Sequence, residues 1–145
     1  MSNKLNKIVL ALCIILTAST AWAWSGIMFD TPIFSAETVL ANGSATSQGI
    51  DLNRHKVVGD FSLQVAVTGS GTCKFEYLMS NDGVTYLEPS SASGIASSIT
   101  VSSGPGSDGK DLYVFYPETA KYIKIKCTET GASNSVTVTA TLLIQ

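Results

Sequence analysis

Histidine is the scarcest of the common catalytic residue types in this chain, which contains only His55 among 145 residues. No G-x-S-x-G motif marks one of the many serines as a nucleophile. Nothing singles out two of the 11 acidic residues as a pair for glycoside hydrolysis. We therefore expect no enzymatic activity and predict no catalytic residue and no cofactor, with a secreted hydrolase as a remote alternative.

The first 23 residues have the three parts of a signal peptide. A positively charged start precedes an apolar run over residues 8–16, and Ala21-Trp22-Ala23 supplies the small residues of a cleavage site. The apolar run is shorter than the roughly 20 residues of a membrane-spanning helix. We predict a signal peptide over residues 1–23 and one domain over residues 24–145, with a secreted, periplasmic or cell-surface location.

Positive charge is scarce once this leader is removed. Lys4 and Lys7 are lost with it, which leaves seven basic residues against 11 acidic ones and a net charge of −4. A mildly acidic domain with scattered charges has no electrostatic footprint for nucleic acid or for an anionic membrane. We therefore predict no nucleic-acid partner, and no membrane partner after signal cleavage.

Cysteine occurs three times, and cleavage of the leader removes Cys13 and leaves Cys73 and Cys127. A zinc site needs more ligands than two cysteines and one histidine supply. Two cysteines in an exported chain more commonly form a disulfide. We predict a disulfide between Cys73 and Cys127 and no metal site, with two unpaired core thiols as the alternative.

Alternation of apolar and polar residues dominates the mature sequence, and turn residues separate the alternating runs. Residues 61–68 and 73–79 flank Gly69-Ser70-Gly71 and are predicted to pair as a β-hairpin. Residues 112–116 are apolar throughout, which predicts a strand near the centre of a sheet. Further strands are predicted within residues 27–40 and 45–52, near residues 98–102, and over residues 122–127 and 136–144.

These strands define the predicted fold class. No stretch of the mature chain has the 3.6-residue apolar period of a capped helix. Seven to nine short strands at about ten-residue spacing predict an all-β protein, a single antiparallel β-sandwich of jelly-roll or discoidin-like type.

Tyrosine is the main aromatic residue that the sequence offers for recognition. All five tyrosines lie between Tyr77 and Tyr122. Exposed tyrosine rings stack on sugars and are favoured at protein interfaces. We select Tyr86, Tyr113 and Tyr116 as a candidate ligand-binding or interface face; the alternative is that such tyrosines pack in or beside the core.

Two resemblances accompany these patterns. Residues 74–86, K-F-E-Y-L-M-S-N-D-G-V-T-Y, and residues 120–125, A-K-Y-I-K-I, resemble parts of the discoidin-like domains. No ligand site is carried over, because the tryptophan-bearing N-terminal region and the terminal disulfide of that family are not matched. Residues 49–145 also resemble small sandwich proteins of bacterial and phage genomes, which implies a structural or attachment role.

The sequence as a whole therefore predicts an exported, non-enzymatic β-sandwich module that acts by surface contact, in a structural, assembly or attachment role. Its predicted partner is a second copy of the chain, in a homo-oligomer or filament, with pairing through an edge strand such as residues 136–144. The alternative is a carbohydrate-binding module that recognises a surface glycan through its tyrosines.

Overall fold

The computed structural model describes residues 29–55, 59–90 and 94–145, and the predicted leader, residues 1–23, lies outside them. Nine strands and one short 3-10 helix make up the regular structure of the described residues. In chain order these elements are β1 (Phe29–Val39), β2 (Ser44–Thr46), β3 (Ile50–Asp51), the 3-10 helix (Leu52–His55), β4 (Phe61–Gly69), β5 (Cys73–Ser80), β6 (Gly94–Ile99), β7 (Lys110–Phe115), β8 (Tyr122–Glu129) and β9 (Val136–Ile144).

The strands form two antiparallel sheets that enclose the core. The first sheet has the order β1-β9-β4-β7, and the second has the order β2-β8-β5-β6, with β3 also paired to β8. When β2 and β3 are counted as one interrupted strand, each sheet has four strands in the order of a jelly roll. The predicted all-β sandwich is therefore confirmed.

Alternation along the central strands builds the core between the two sheets. In the first sheet Leu63 of β4 lies opposite Leu142 of β9, and both are fully buried. Phe75 of β5 and Ile125 of β8 enter the same core from the second sheet. Full burial of one such side chain contributes roughly 1.5–3 kcal/mol, so this layer is the main source of stability.

The predicted hairpin between residues 61–68 and 73–79 is wrong in its pairing. β4 pairs with β7 and β9, whereas β5 pairs with β6 and β8 in the other sheet. Gly69 has a φ of 94°, and the N–H of Gly71 donates to the carbonyl of Ser135 at 3.1 Å, so this turn carries the chain across the core. Buried and more exposed residues alternate along both strands, because each strand packs one face against the same core from opposite sheets.

Two other strands occupy positions opposite to those predicted. β9, expected as an edge strand, lies between β1 and β4. Residues 112–115, expected near a sheet centre, belong to the edge strand β7, which ends before Tyr116. A run of apolar residues is typical of a strand buried on both faces, but one face of β7 is exposed. The strand expected near residues 98–102 is β6, which lies at residues 94–99.

A buried carboxylate, that of Glu129, holds together three loops at one end of the sandwich. Its Oε1 accepts hydrogen bonds from the N–H groups of Gly131 at 2.7 Å and Thr72 at 3.3 Å. Its Oε2 accepts from Asn42 at 2.9 Å and Ala132 at 3.1 Å. These four N–H donors, with that of Asn42 first, hold the pKa of Glu129 below its ordinary value.

Candidate functional site

The outer face of β7 carries an exposed apolar stripe, which we call the edge stripe. It consists of Leu112 and Val114 of β7 and of Tyr116, which directly follows the strand. The exposed fractions of these three residues are 58%, 57% and 71%. The intervening residue Phe115 is buried and points into the core. The three edge-stripe side chains therefore lie in one row along an outer strand of the first sheet.

The start of β7 is fixed by Gly109. This residue is buried with a φ of 74°, and a Cβ added to it would meet the carbonyl oxygen of Val67. The N–H of Val67 donates to the carbonyl of Gly109 at 2.9 Å, which aligns β7 with β4. From there the two strands pair without a register shift, so the edge stripe is held on a regular strand.

The end of β7 is anchored by aromatic packing. The ring of Phe115 lies 5.5 Å from the ring of Phe61 and 5.5 Å from the ring of Tyr77, measured between centroids. Beside it an open groove of about 510 Å³ separates β7 from β6. Its lining includes Val114, Tyr116 and, from β6, Ile95.

The predicted tyrosine face divides between the two sheets. Tyr116 belongs to the edge stripe, whereas Tyr113 lies on the inward-facing side of β7 and is half-buried. Burial and the Asp111 carboxylate raise the pKa of Tyr113 to about 12. Tyr86 lies over the second sheet, where the Nζ of Lys124 is 4.0 Å from its ring centroid. The structure therefore places Tyr116 on an open surface and does not bring the three tyrosines together on one face.

Cys73 and Cys127 lie on neighbouring strands of the second sheet. Cys73 of β5 pairs with Glu129, and Cys127 of β8 pairs with Phe75, so the cysteines occupy diagonal positions. Both are fully buried free thiols, and each lies near enough to shift the pKa of the other. The disulfide between them stays a prediction.

Among residues 29–55, 59–90 and 94–145, no three His, Cys, Asp or Glu side chains are grouped so as to hold a metal ion. The described part of the chain also contains no helix that is long and apolar enough to cross a membrane.

Two features of the structure were not found by sequence reasoning. The sequence places residues 112–116 near the centre of a sheet, because a run that is apolar throughout does not show that one of its faces is exposed. The buried position of Glu129 could have been found from the sequence. Every second residue of β8 points inward, and Glu129 continues this series directly before a turn. An acidic residue at an inward strand end indicates a carboxylate that is bound by backbone N–H groups.

The fold defines the class of protein: a jelly-roll β-sandwich with one regular, apolar edge strand. No protein-family model matches the chain, and no curated protein sequence matches it. The resemblance to sandwich proteins therefore holds at the level of fold, and membership of the discoidin-like family is not shown.

Solved structures include similar folds. The PBSX exported protein XepA aligns with a TM-score of 0.51 and 11% identity, over 83% of this chain and 37% of that chain. A structure of infectious bursal disease virus, Gx strain, aligns with a TM-score of 0.50 and 10% identity, over 81% of this chain and 31% of that chain. This chain thus spans about a third of the length of each, and such identities show the fold alone.

A sugar-binding domain is also among the similar folds. The CBM22-1 xylan-binding domain from Paenibacillus barcinonensis Xyn10C aligns with a TM-score of 0.43 and 11% identity, over 84% of this chain and 96% of that chain. This weaker likeness carries no argument about function.

Proposed function

We propose that this chain is an exported, non-enzymatic β-sandwich module that acts by surface contact through the edge stripe, in an assembly or attachment role. The observation that carries the proposal is the row of exposed Leu112, Val114 and Tyr116 side chains on a regular edge strand. Contiguous exposed apolar surface of this kind marks interaction sites. Covering the exposed part of each side chain contributes on the order of 1 kcal/mol.

The roles of the surface carboxylates support a non-enzymatic module. The Oδ1 of Asp82 accepts the N–H groups of Val84 and Thr85, both at 2.8 Å, and these bonds lower the pKa of Asp82 to about 2. Asp108 binds the Nζ of Lys110 at 3.0 Å, and this contact lowers the pKa of Asp108. Both carboxylates stabilise turns and stay ionised, which makes them poor proton donors and bases near neutral pH.

Export is supported by the leader-like residues 1–23 and by a mature surface rich in Ser, Thr, Gly and Asn. The fold is compatible with export, since XepA, named as an exported protein, shares it. We place the mature module outside the cytoplasm, as a secreted, periplasmic or cell-surface protein.

The substitution Val114→Lys tests the contact surface in the cells that make the protein. A lysine on an edge strand opposes strand addition and apolar contact. This variant is therefore expected to raise the ratio of free exported protein to sedimenting or surface-bound protein about tenfold. Thr38→Lys on β1, the opposite edge of the same sheet, is the matched control, because Thr38 is exposed. Exported protein that is free and monomeric with or without Val114→Lys would contradict the proposal.

Glycan binding is a second candidate, favoured by the exposed ring of Tyr116 beside the groove. It predicts retention on a polysaccharide column that Tyr116→Ala abolishes and that Tyr86→Ala, at the ring covered by Lys124, leaves unchanged. Equal retention of both variants, or none for the parent protein, would reject this candidate.

A further inference from the structure

One asparagine of this chain is directly followed by a glycine. The sequence contains six asparagines, and Asn42 alone has this neighbour, Gly43. In such a pair the backbone nitrogen of the glycine can attack the side-chain carbon Cγ of the asparagine, because glycine has no side chain that hinders the approach. The Cγ–Nδ2 bond breaks, and ammonia leaves with the amide proton of the glycine. Water then opens the remaining five-membered ring to aspartate or isoaspartate, which completes a deamidation.

The turn between β1 and β2 requires both residues of this pair. The N–H of Gly43 donates to the carbonyl of Leu40 at 2.8 Å, which closes a four-residue turn. Asn42 has a φ of 58°, a left-handed conformation that asparagine adopts more readily than most residues do. A Cβ added to Gly43 would lie only 2.9 Å from the carbonyl oxygen of Leu40. The geometry of the turn therefore places the reactive pair at this position.

Both reacting groups are held in the folded protein. The N–H of Gly43 is bonded within the turn, and the Nδ2 of Asn42 donates to the carbonyl of Ala132 at 3.3 Å. The backbone N–H of Asn42 donates to Glu129 Oε2 at 2.9 Å, and the N–H of Glu129 donates to the carbonyl of Gly43 at 3.0 Å. Attack of the Gly43 nitrogen on Cγ therefore requires the turn to separate from Glu129. Water reaches the site once it opens, because Asn42 is exposed.

We propose that Asn42 is a site of spontaneous deamidation whose rate is controlled by the carboxylate of Glu129. While Glu129 holds the turn, deamidation is slow, because it proceeds from the fraction of molecules in which the turn is open. The reaction needs water alone. The turn follows β1, at the opposite edge of the first sheet from the edge stripe. The site is therefore independent of the proposed contact surface, and either one can fail without the other.

The product of the reaction cannot restore the original contacts. Deamidation replaces the Nδ2 donor of Asn42 by a carboxylate oxygen, which leaves the carbonyl of Ala132 facing a second acceptor. It also adds a negative charge to the residue whose N–H binds the Glu129 carboxylate, so two like charges lie close together. Isoaspartate in addition lengthens the backbone of the turn by one carbon atom. Deamidation is therefore expected to release the turn permanently.

The variant Glu129→Ala tests the control of the rate. The purified protein is incubated at mildly alkaline pH, below the melting transition of the variant, and conversion of each asparagine is followed by mass spectrometry of peptides. Glu129→Ala is expected to deamidate at Asn42 about tenfold faster than the parent protein, because the turn loses its acceptor and opens more often. Glu37→Ala, which removes an exposed carboxylate from β1, is the matched control and is expected to leave the rate unchanged.

Asn81 provides an internal control in the same digests, since it lies in the turn after β5 at the other end of the sandwich. Its rate is expected to be the same in Glu129→Ala as in the parent protein. An equal rise at Asn81 and Asn42 would assign the effect to the whole fold and would overturn the proposal. An unchanged rate at Asn42 in Glu129→Ala would overturn it as well.

The variant Asn42→Asp tests the effect of the product. It is expected to lower the melting temperature by roughly 5 °C, because a buried contact loses its donor and a like charge is added. Asn81→Asp adds the same charge at an exposed position and is expected to change the melting temperature little. In a Glu129→Gln background the further loss caused by Asn42→Asp is expected to be smaller, because one of the two charges is absent. Equal melting temperatures of Asn42→Asp and Asn81→Asp would show that the product fits the closed turn, which contradicts permanent release.

Discussion

Replacing Glu129 by alanine is expected to lower the melting temperature by roughly 10 °C or more, because four backbone N–H groups lose their acceptor at one buried position. The loops that contain Asn42, Thr72 and Gly131 share this one carboxylate, so the loss affects three connections at once. Glu129→Gln keeps one carbonyl oxygen and is expected to show an intermediate loss. Thermal unfolding followed by circular dichroism measures the effect.

The pH dependence of the melting temperature shows how much of the stabilisation depends on the negative charge of Glu129. The pKa of Glu129 lies below its ordinary value of 4.5 in the folded protein, so its ionised form stabilises the fold above that pH. This contribution is lost as the pH falls through the lowered pKa. The difference in melting temperature between the parent protein and Glu129→Gln is therefore expected to shrink on acidification below about pH 4.5.

The exposed Glu37 of β1 provides the control for both measurements. Glu37→Ala removes a carboxylate of the same kind from the surface and is expected to change the melting temperature little. If Glu129→Ala melts at the temperature of Glu37→Ala, the three loops do not depend on the buried carboxylate.

The second large effect concerns Cys73 and Cys127. If these cysteines form the predicted disulfide, closure of the loop between them stabilises the mature protein by about 4 kcal/mol. Exported protein that is unfolded without reductant is then expected to expose no free thiol. Addition of reductant is expected to lower the denaturant midpoint. Two titratable thiols per mature chain would show instead that the cysteines remain core thiols.

The two thiols influence each other's ionisation. The hydrogen bond from Cys127 lowers the pKa of Cys73, while the same contact and burial raise the pKa of Cys127. A double variant, Cys73→Ala with Cys127→Ala, serves as the control, since its denaturant midpoint is expected not to respond to reductant.

The sequence predicted the fold class because the alternating runs in β4, β5, β8 and β9 report directly which side chains are buried. Pairing was not predictable in the same way. Residues 61–68 and 73–79 have the pattern of a hairpin, but the same pattern serves two strands that face each other across a core. The central position of β9 depends on contacts with β1, 97 to 115 residues away, which no local pattern encodes.

The candidate site was predicted only in part. Tyr116 was selected from the sequence and lies on the open edge, but Tyr86 and Tyr113 were selected with it and lie elsewhere. Leu112 and Val114 were predicted to lie on a strand near the centre of a sheet, because a run of apolar residues is typical of a strand buried on both faces. Their exposure follows from the position of β7 at the end of its sheet, which is a property of the topology.

The position of β9 has a consequence for the time course of folding. β9 follows every other strand in the sequence, yet it lies between β1 and β4 in the first sheet. Until residues 136–144 are available, β1 has no partner strand in that sheet, and β4 has only β7. Because these pairings span most of the chain, we expect slow folding, on the order of milliseconds to seconds. If the chain is exported as proposed, its first sheet can therefore be completed only after the last strand has crossed the membrane.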